Sequence, residues 1–217
     1  MKPKTQHLIA ILLFIAHGPV HGQPQPAETG QSFEAKLVAA ALNRVGRTLI
    51  YDGSYRRLAY PMGDVPDHMG VCTDVIIRAY RAIGIDLQQL VHRDMKAAFA
   101  QYPTIWGLRS TDRNIDHRRV PNLATFFKRG KHQLPISQNA RDYRPGDLVT
   151  WMLPSNRPHI GMVVYQKTPG GKRPMIVHNI GSGTMVEDIL FQYKISGHFR
   201  YVPGQETNDS SPQGQVP

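Results

Sequence analysis

Hydrophobic spacing divides this chain into two halves. Through the first half apolar residues recur every three to four positions, and through the second they form short runs broken by Pro, Gly and Asn. In "SFEAKLVAAALNRVG" Phe33, Leu37, Ala40, Ala41 and Val45 make one stripe between Ser32, a candidate N-cap, and Gly46, a stop. After a loop from Arg47 to Met69, Val75, Ile76, Ala79, Tyr80 and Ile83 repeat at helical spacing behind Cys72, and Gly84 ends the pattern. A third amphipathic segment runs from Leu87 to Tyr102, and a short helix is expected to start near Pro121. "PGDLVTWM", "HIGMVVY", "MIVHNI" and "GHFRYV" read as strands, with "QKTPGGKRP" as a hairpin loop between the second and third. Helices first and an antiparallel sheet afterwards predict an α+β fold, with the N-terminal helices packed on one face of the sheet.

The two ends follow other rules. Lys2 and Lys4, the apolar run "LIAILLFIA" from Leu8 to Ala16, and small residues at Val20 and Gly22 have the order of a secretory signal peptide cleaved near Gly22. No cysteine lies near that point to carry a lipid, and no later stretch has the length of a membrane span. The expected organisation is a signal peptide over 1–22, a disordered linker over 23–31, one folded domain over 32–203 and a polar, disordered tail over 204–217. The expected location is the periplasm or the medium. The formal net charge of +10 falls to +8 without Lys2 and Lys4, so the exported surface stays basic. Such a surface attracts anionic wall polymers and lipid headgroups, or serves solubility alone. With no aromatic-interleaved basic motif, zinc-ribbon spacing or phosphate loop, nucleic acid is not an expected partner. About 195 exported residues suffice for a single core burying roughly 70% of the unfolded surface, and a monomer without stable membrane insertion is expected.

Against this background the single cysteine, Cys72, stands out, because an exported chain has no disulfide partner for it. It lies three and four residues before Val75 and Ile76, on the inward face of its helix and in the first turn, where backbone N–H groups and the helix dipole favour a thiolate. A free cysteine also serves as a small buried hydrophobe, and that reading stands beside the chemical one. A base is available downstream. His159 heads "HIGMVVY", Gly161 leaves space beside its ring, and His178 and Asn179 end the next strand, where an antiparallel hairpin brings one of the two next to His159. Nucleophile on a helix, base on a strand and an orienting polar group form a general nucleophilic arrangement. His68, in "PDHMGVC", is a rival base.

"GVCTDVIIRAYR", "RPGDLVTW", "HIGMVVY" and "IVHNIG" resemble the signature blocks of the NlpC-type, papain-like cell-wall cysteine peptidases. Almost the whole span from Phe33 to Val202, including "YPMGDVP", "NIDHRRVPNL" and "SGHFRYV", also resembles a family of exported bacterial proteins classed as a domain of unknown function. The peptidase resemblance implies a papain-like fold, Cys72 as nucleophile, His159 as base and His178 as third member. It implies that Tyr51, in "GRTLIYDG", is the tyrosine that points at the active site. The chain departs from the pattern in having Thr73 and Asp74 where Ser and Gly usually follow the cysteine. A carboxylate at Asp74 suits the helix N-terminus and disfavours a thiolate, so it is expected either to turn away or to bind substrate. In the insertion "STDRNIDHRRVPNL", Asp116, Arg118 and Arg119 are candidates for lining the cleft and holding a substrate carboxylate, or for an ordinary ion-pair cluster.

The expected function is therefore an exported cysteine hydrolase that cleaves amide bonds in peptidoglycan stem peptides or cross-links by Cys–His acyl transfer, with no metal or cofactor. A non-catalytic envelope-binding module with the same fold is the alternative. A metal site built from Asp67, His68, Cys72 and a downstream histidine is a third reading, although the spacing fits no standard zinc pattern.

Overall fold

A computed structural model describes residues 31–204. Except for Gln31 and Gly204, the segments assigned to the signal peptide, the linker and the tail lie outside them. None of the described helices is long and apolar enough to cross a membrane.

Four helices come first. In α1, Phe33–Leu42, the Ser32 hydroxyl accepts the Ala35 N–H at 3.2 Å, as its N-cap position predicts. Two short parallel strands, β1 (Ile50–Tyr51) and β2 (Met69–Gly70), bracket the stretch expected to be loop. They deliver the chain into α2, Cys72–Ala82, whose residues from Cys72 to Tyr80 are all buried. A helix buried all round must also bury its polar residues. Arg78 is therefore clamped between the Asp64 carboxylate, at 2.9 Å, and the carbonyls of Val65 and Pro66. α3 (Leu87–Ala97) is capped by Asp86, and α4 (Val120–Arg129) carries Pro121 in its first turn.

The second half is a five-stranded antiparallel sheet in the order β6-β5-β4-β3-β7. Its strands are β3 (Leu148–Leu153), β4 (Arg157–Lys167), β5 (Pro174–Asn179), β6 (Thr184–Glu187) and β7 (Lys194–Phe199). Four of them overlap the expected runs, the last beginning three residues before "GHFRYV" and ending at Phe199, and β6 is additional. "TMVE" has neither the length nor the alternation that marks a strand, and it forms because β5 offers it an open edge.

Period-two alternation sorts the sheet into two faces. Leu148, Ile160, Met162, Val164, Val177 and Phe199 pack against α1, α2 and α4 in the main core. Val149, Trp151, Val163 and Ile176 pack on the other side against Tyr143, Ile189, Leu190 and Ile195. The α+β expectation of helices on one face of an antiparallel sheet is met, and loop segments cover the other face.

Candidate active site

Asp74 sets the start of α2. Its carboxylate accepts the Val71 N–H at 2.7 Å and closes the first turn. The same carboxylate receives Arg118 Nε and Nη2, each at 2.9 Å, and both side chains are nearly shut off from solvent. The Thr73 hydroxyl donates to the Arg118 carbonyl at 2.9 Å. Thr73 and Asp74, the two departures from the peptidase pattern, thus bolt the N-terminus of α2 to the inserted segment, and Asp74 faces a guanidinium instead of standing alone beside the thiol.

Cys72 is 4% exposed. Its sulfur has the N–H groups of Ile160 and Thr73 and the Tyr51 hydroxyl as polar neighbours, all of which favour a thiolate. Burial outweighs them, with a further push from Asp74, and the thiol is driven up to about 11. Position at a helix N-terminus alone predicts the opposite shift, and dehydration explains the reversal. The resting thiol is neutral, so attack requires a base to take its proton. Tyr51, on β1, is 44% exposed, and burial of its ring first and Cys72 second raise its hydroxyl to about 12.

The histidines are set by strand register. Trp151 lies opposite His159, and Gly161 lies opposite His178. A Cβ at position 161 would come within 2.5 Å of Ile176 Cγ2 and 3.0 Å of His178 Cβ, so glycine is what lets the two strands close at this point. His159 Nε2 is 3.0 Å from His178 Nδ1, with the rings edge to face. From β6, Glu187 Oε2 lies 2.9 Å from His178 Nε2. It is out of line for a well-formed hydrogen bond, so the contact is chiefly electrostatic. The carboxylate favours a proton on His178 Nε2. His178 Nδ1 then accepts from His159 Nε2–H, which leaves His159 Nδ1 as a bare lone pair. Both rings are buried and neutral. Burial, helped by His178, pulls His159 down to about 3, and burial lowers His178 against the opposing pull of Glu187. His159 directly precedes Ile160, whose N–H reaches the thiol, so the backbone of the candidate base runs past the nucleophile at the start of β4. Among the described residues no hydrogen bond joins Cys72 to His159 in this resting arrangement.

Of the two groups that end β5, His178 is the one that meets His159. Asn179, fully buried, donates to the Gly70 carbonyl at 3.3 Å and accepts the Gly181 N–H at 3.1 Å, tying β5 to β2. His68 is exposed, and Asp67 pairs with Arg44 at 2.6 Å. These two residues do not gather with Cys72, and the described residues contain no group of three or more His, Cys, Asp or Glu able to hold a metal ion.

An open cleft of about 380 Å³ runs past the thiol, lined among others by Tyr51, Tyr55, Cys72, Trp106, Arg118 and Arg119. The inserted segment therefore does form one wall. Arg118 is engaged by Asp74 and by the carbonyls of Asp52 and Ser54. Arg119 lies over the Trp106 ring at 4.1 Å. Asp116 is buried, accepts the Asp112 N–H, and is raised by burial to about 6. Glu187 and Trp106 escape sequence reasoning. Glu187 shows no signal beyond a short run of β-forming residues after a glycine turn, and Trp106 stands in a loop without periodicity.

Residues 38–201 match a domain of unknown function, DUF1287. The uncharacterized protein YijF of Escherichia coli (strain K12) is 50% identical over 203 residues, covering 93% of this chain and 98% of that protein. A match over most of the chain, together with half-identity to a relative of nearly equal length, agrees with the resemblance carried by "YPMGDVP" and "NIDHRRVPNL". The chain belongs to the DUF1287 family.

Proposed function

We propose that this protein is an exported cysteine hydrolase with a papain-like fold of the NlpC type, acting on amide bonds in peptidoglycan stem peptides or cross-links. The observation that carries the reading is the line from a half-buried Glu187 through the buried His178 to His159, whose neighbour Ile160 turns its N–H to the one thiol of the chain, itself on the wall of an open cleft. In the reaction the Cys72 sulfur attacks the amide carbonyl carbon as His159 Nδ1 takes the thiol proton. The Cys72 backbone N–H at the start of α2 and the Tyr51 hydroxyl face the oxygen that becomes negative. His159 then gives its proton to the departing amine, and the C–N bond breaks to leave a thioester. Water, deprotonated by His159, hydrolyses the thioester and restores the thiol. The exposed rings of Tyr55 and Trp106 give the substrate a surface to lie on. The basic surface suits an anionic wall polymer, and the leader-like N-terminus suits export.

A second reading, a non-catalytic envelope-binding module, draws support from the neutral and nearly inaccessible thiol. Purified sacculi separate the two. The hydrolase reading expects the protein to release new amino or carboxyl termini from sacculi and Cys72→Ala to release none. Binding without release, unchanged by Cys72→Ala, would leave the binding module in its place.

A further inference from the structure

The mechanism leaves Arg119 without a task. Two arginines line the cleft, and only Arg118 has its guanidinium edges filled by a carboxylate and by carbonyl oxygens. Arg119 is held differently. Its guanidinium is stacked on Trp106 at 4.1 Å, which fixes the plane of the fork without using its N–H groups. The nearest carboxylate oxygen, Asp116 Oδ1, is 3.9 Å from Nη1, too far for a hydrogen bond. Both Arg119 Nη1 and Asp116 Oδ1 are shielded from solvent with no hydrogen-bond partner. A charged donor in that condition is costly, so the guanidinium gains from any acceptor that comes within its reach.

Building on the hydrolase reading, we propose that Arg119 forms a carboxylate-binding subsite, so that the amide bond cut by Cys72 lies next to a residue bearing a free carboxylate. The fork of Arg119 matches a planar carboxylate in two parallel hydrogen bonds. Asp116, itself 1% exposed and outside the cleft lining, offsets part of the Arg119 charge from within the protein. One partly offset guanidinium suits a singly charged anion better than a doubly charged phosphate.

The test uses the thiol as its own reporter on the full chain. Bromoacetyl-alanine places a carboxylate one residue from the carbon that Cys72 attacks, and bromoacetyl-alaninamide is its neutral match. The proposal expects Cys72 to react at least about tenfold faster with the acid than with the amide, as a charge-assisted contact implies. Arg119→Gln should erase that preference, and Arg119→Lys should retain part of it. Iodoacetamide reacting at the same rate in all three forms shows the cleft intact. Equal rates for acid and amide in the wild-type protein, or a preference that survives Arg119→Gln, overturns the subsite and leaves the hydrolase reading standing. A Cys72 inert to all three reagents in the wild-type protein overturns both.

Discussion

In the proposed mechanism Glu187 acts through a single atom, the Oε2 that lies 2.9 Å from His178 Nε2. Without that carboxylate His178 has no reason to keep its proton on Nε2, and the lone pair at His159 Nδ1 is no longer guaranteed. Glu187→Ala is therefore expected to redistribute the His178 tautomers, visible in ring nitrogen chemical shifts, and to slow Cys72 alkylation at neutral pH by about tenfold. Unchanged tautomers and an unchanged rate would show that the carboxylate is incidental. At this scale the sequence was legible where chemistry is rare: one cysteine in the whole chain and a histidine two residues before a strand glycine. It was not legible for Glu187, whose place beside His178 depends on a diagonal neighbour across β5 and β6, whereas of the two readings open for Arg118, substrate ligand or ion-pair cluster, the structure shows the ion pair with Asp74.

At the scale of elements, the site depends on how closely β4 and β5 approach. Gly161→Ala would place a methyl group 2.5 Å from Ile176 Cγ2 and 3.1 Å from the Val177 carbonyl oxygen, so the strands must part where the two imidazoles meet. Overpacking of this kind costs about 1–3 kcal/mol, and denaturant unfolding should show that loss together with reduced thiol reactivity. Wild-type stability in this variant would mean that the strands have more slack than the register implies. The helices and four of the strands were readable because apolar period follows burial directly. β6 and the pair β1 and β2 were not, since two to four residues carry no period, and only tertiary pairing makes them strands.

The molecule as a whole buries neutral histidines, and this sets its response to acid. His117 and His159 stand at about 3 in the folded protein against an ordinary 6.5, mainly through burial. Between those values the unfolded chain binds more protons, so stability is complete above pH 6.5 and is lost as pH falls toward 3. Asp116, at about 6 against an ordinary 3.8, works the other way, because the folded state holds its proton longer. Two histidines outweigh one aspartate, and His178, lowered as well, adds to them. Urea unfolding at pH 7, 5.5 and 4 should show stability falling with acidification, by up to about 1.4 kcal/mol per pH unit for each histidine. His117→Gln should make the slope shallower. Stability that holds or rises toward pH 4 would contradict the burial of neutral rings.

The central claim is that His159 serves Cys72 as its base, and the pH dependence of Cys72 alkylation by iodoacetamide tests it most directly. A neutral thiol at about 11 paired with a neutral imidazole at about 3 predicts a rate nearly independent of pH across the range between, because each thiol carries its own proton acceptor. His159→Ala should lose that plateau, and its rate should fall tenfold for each unit of pH below the thiol value. The same steep fall in both proteins would contradict the account and make Cys72 a packing residue.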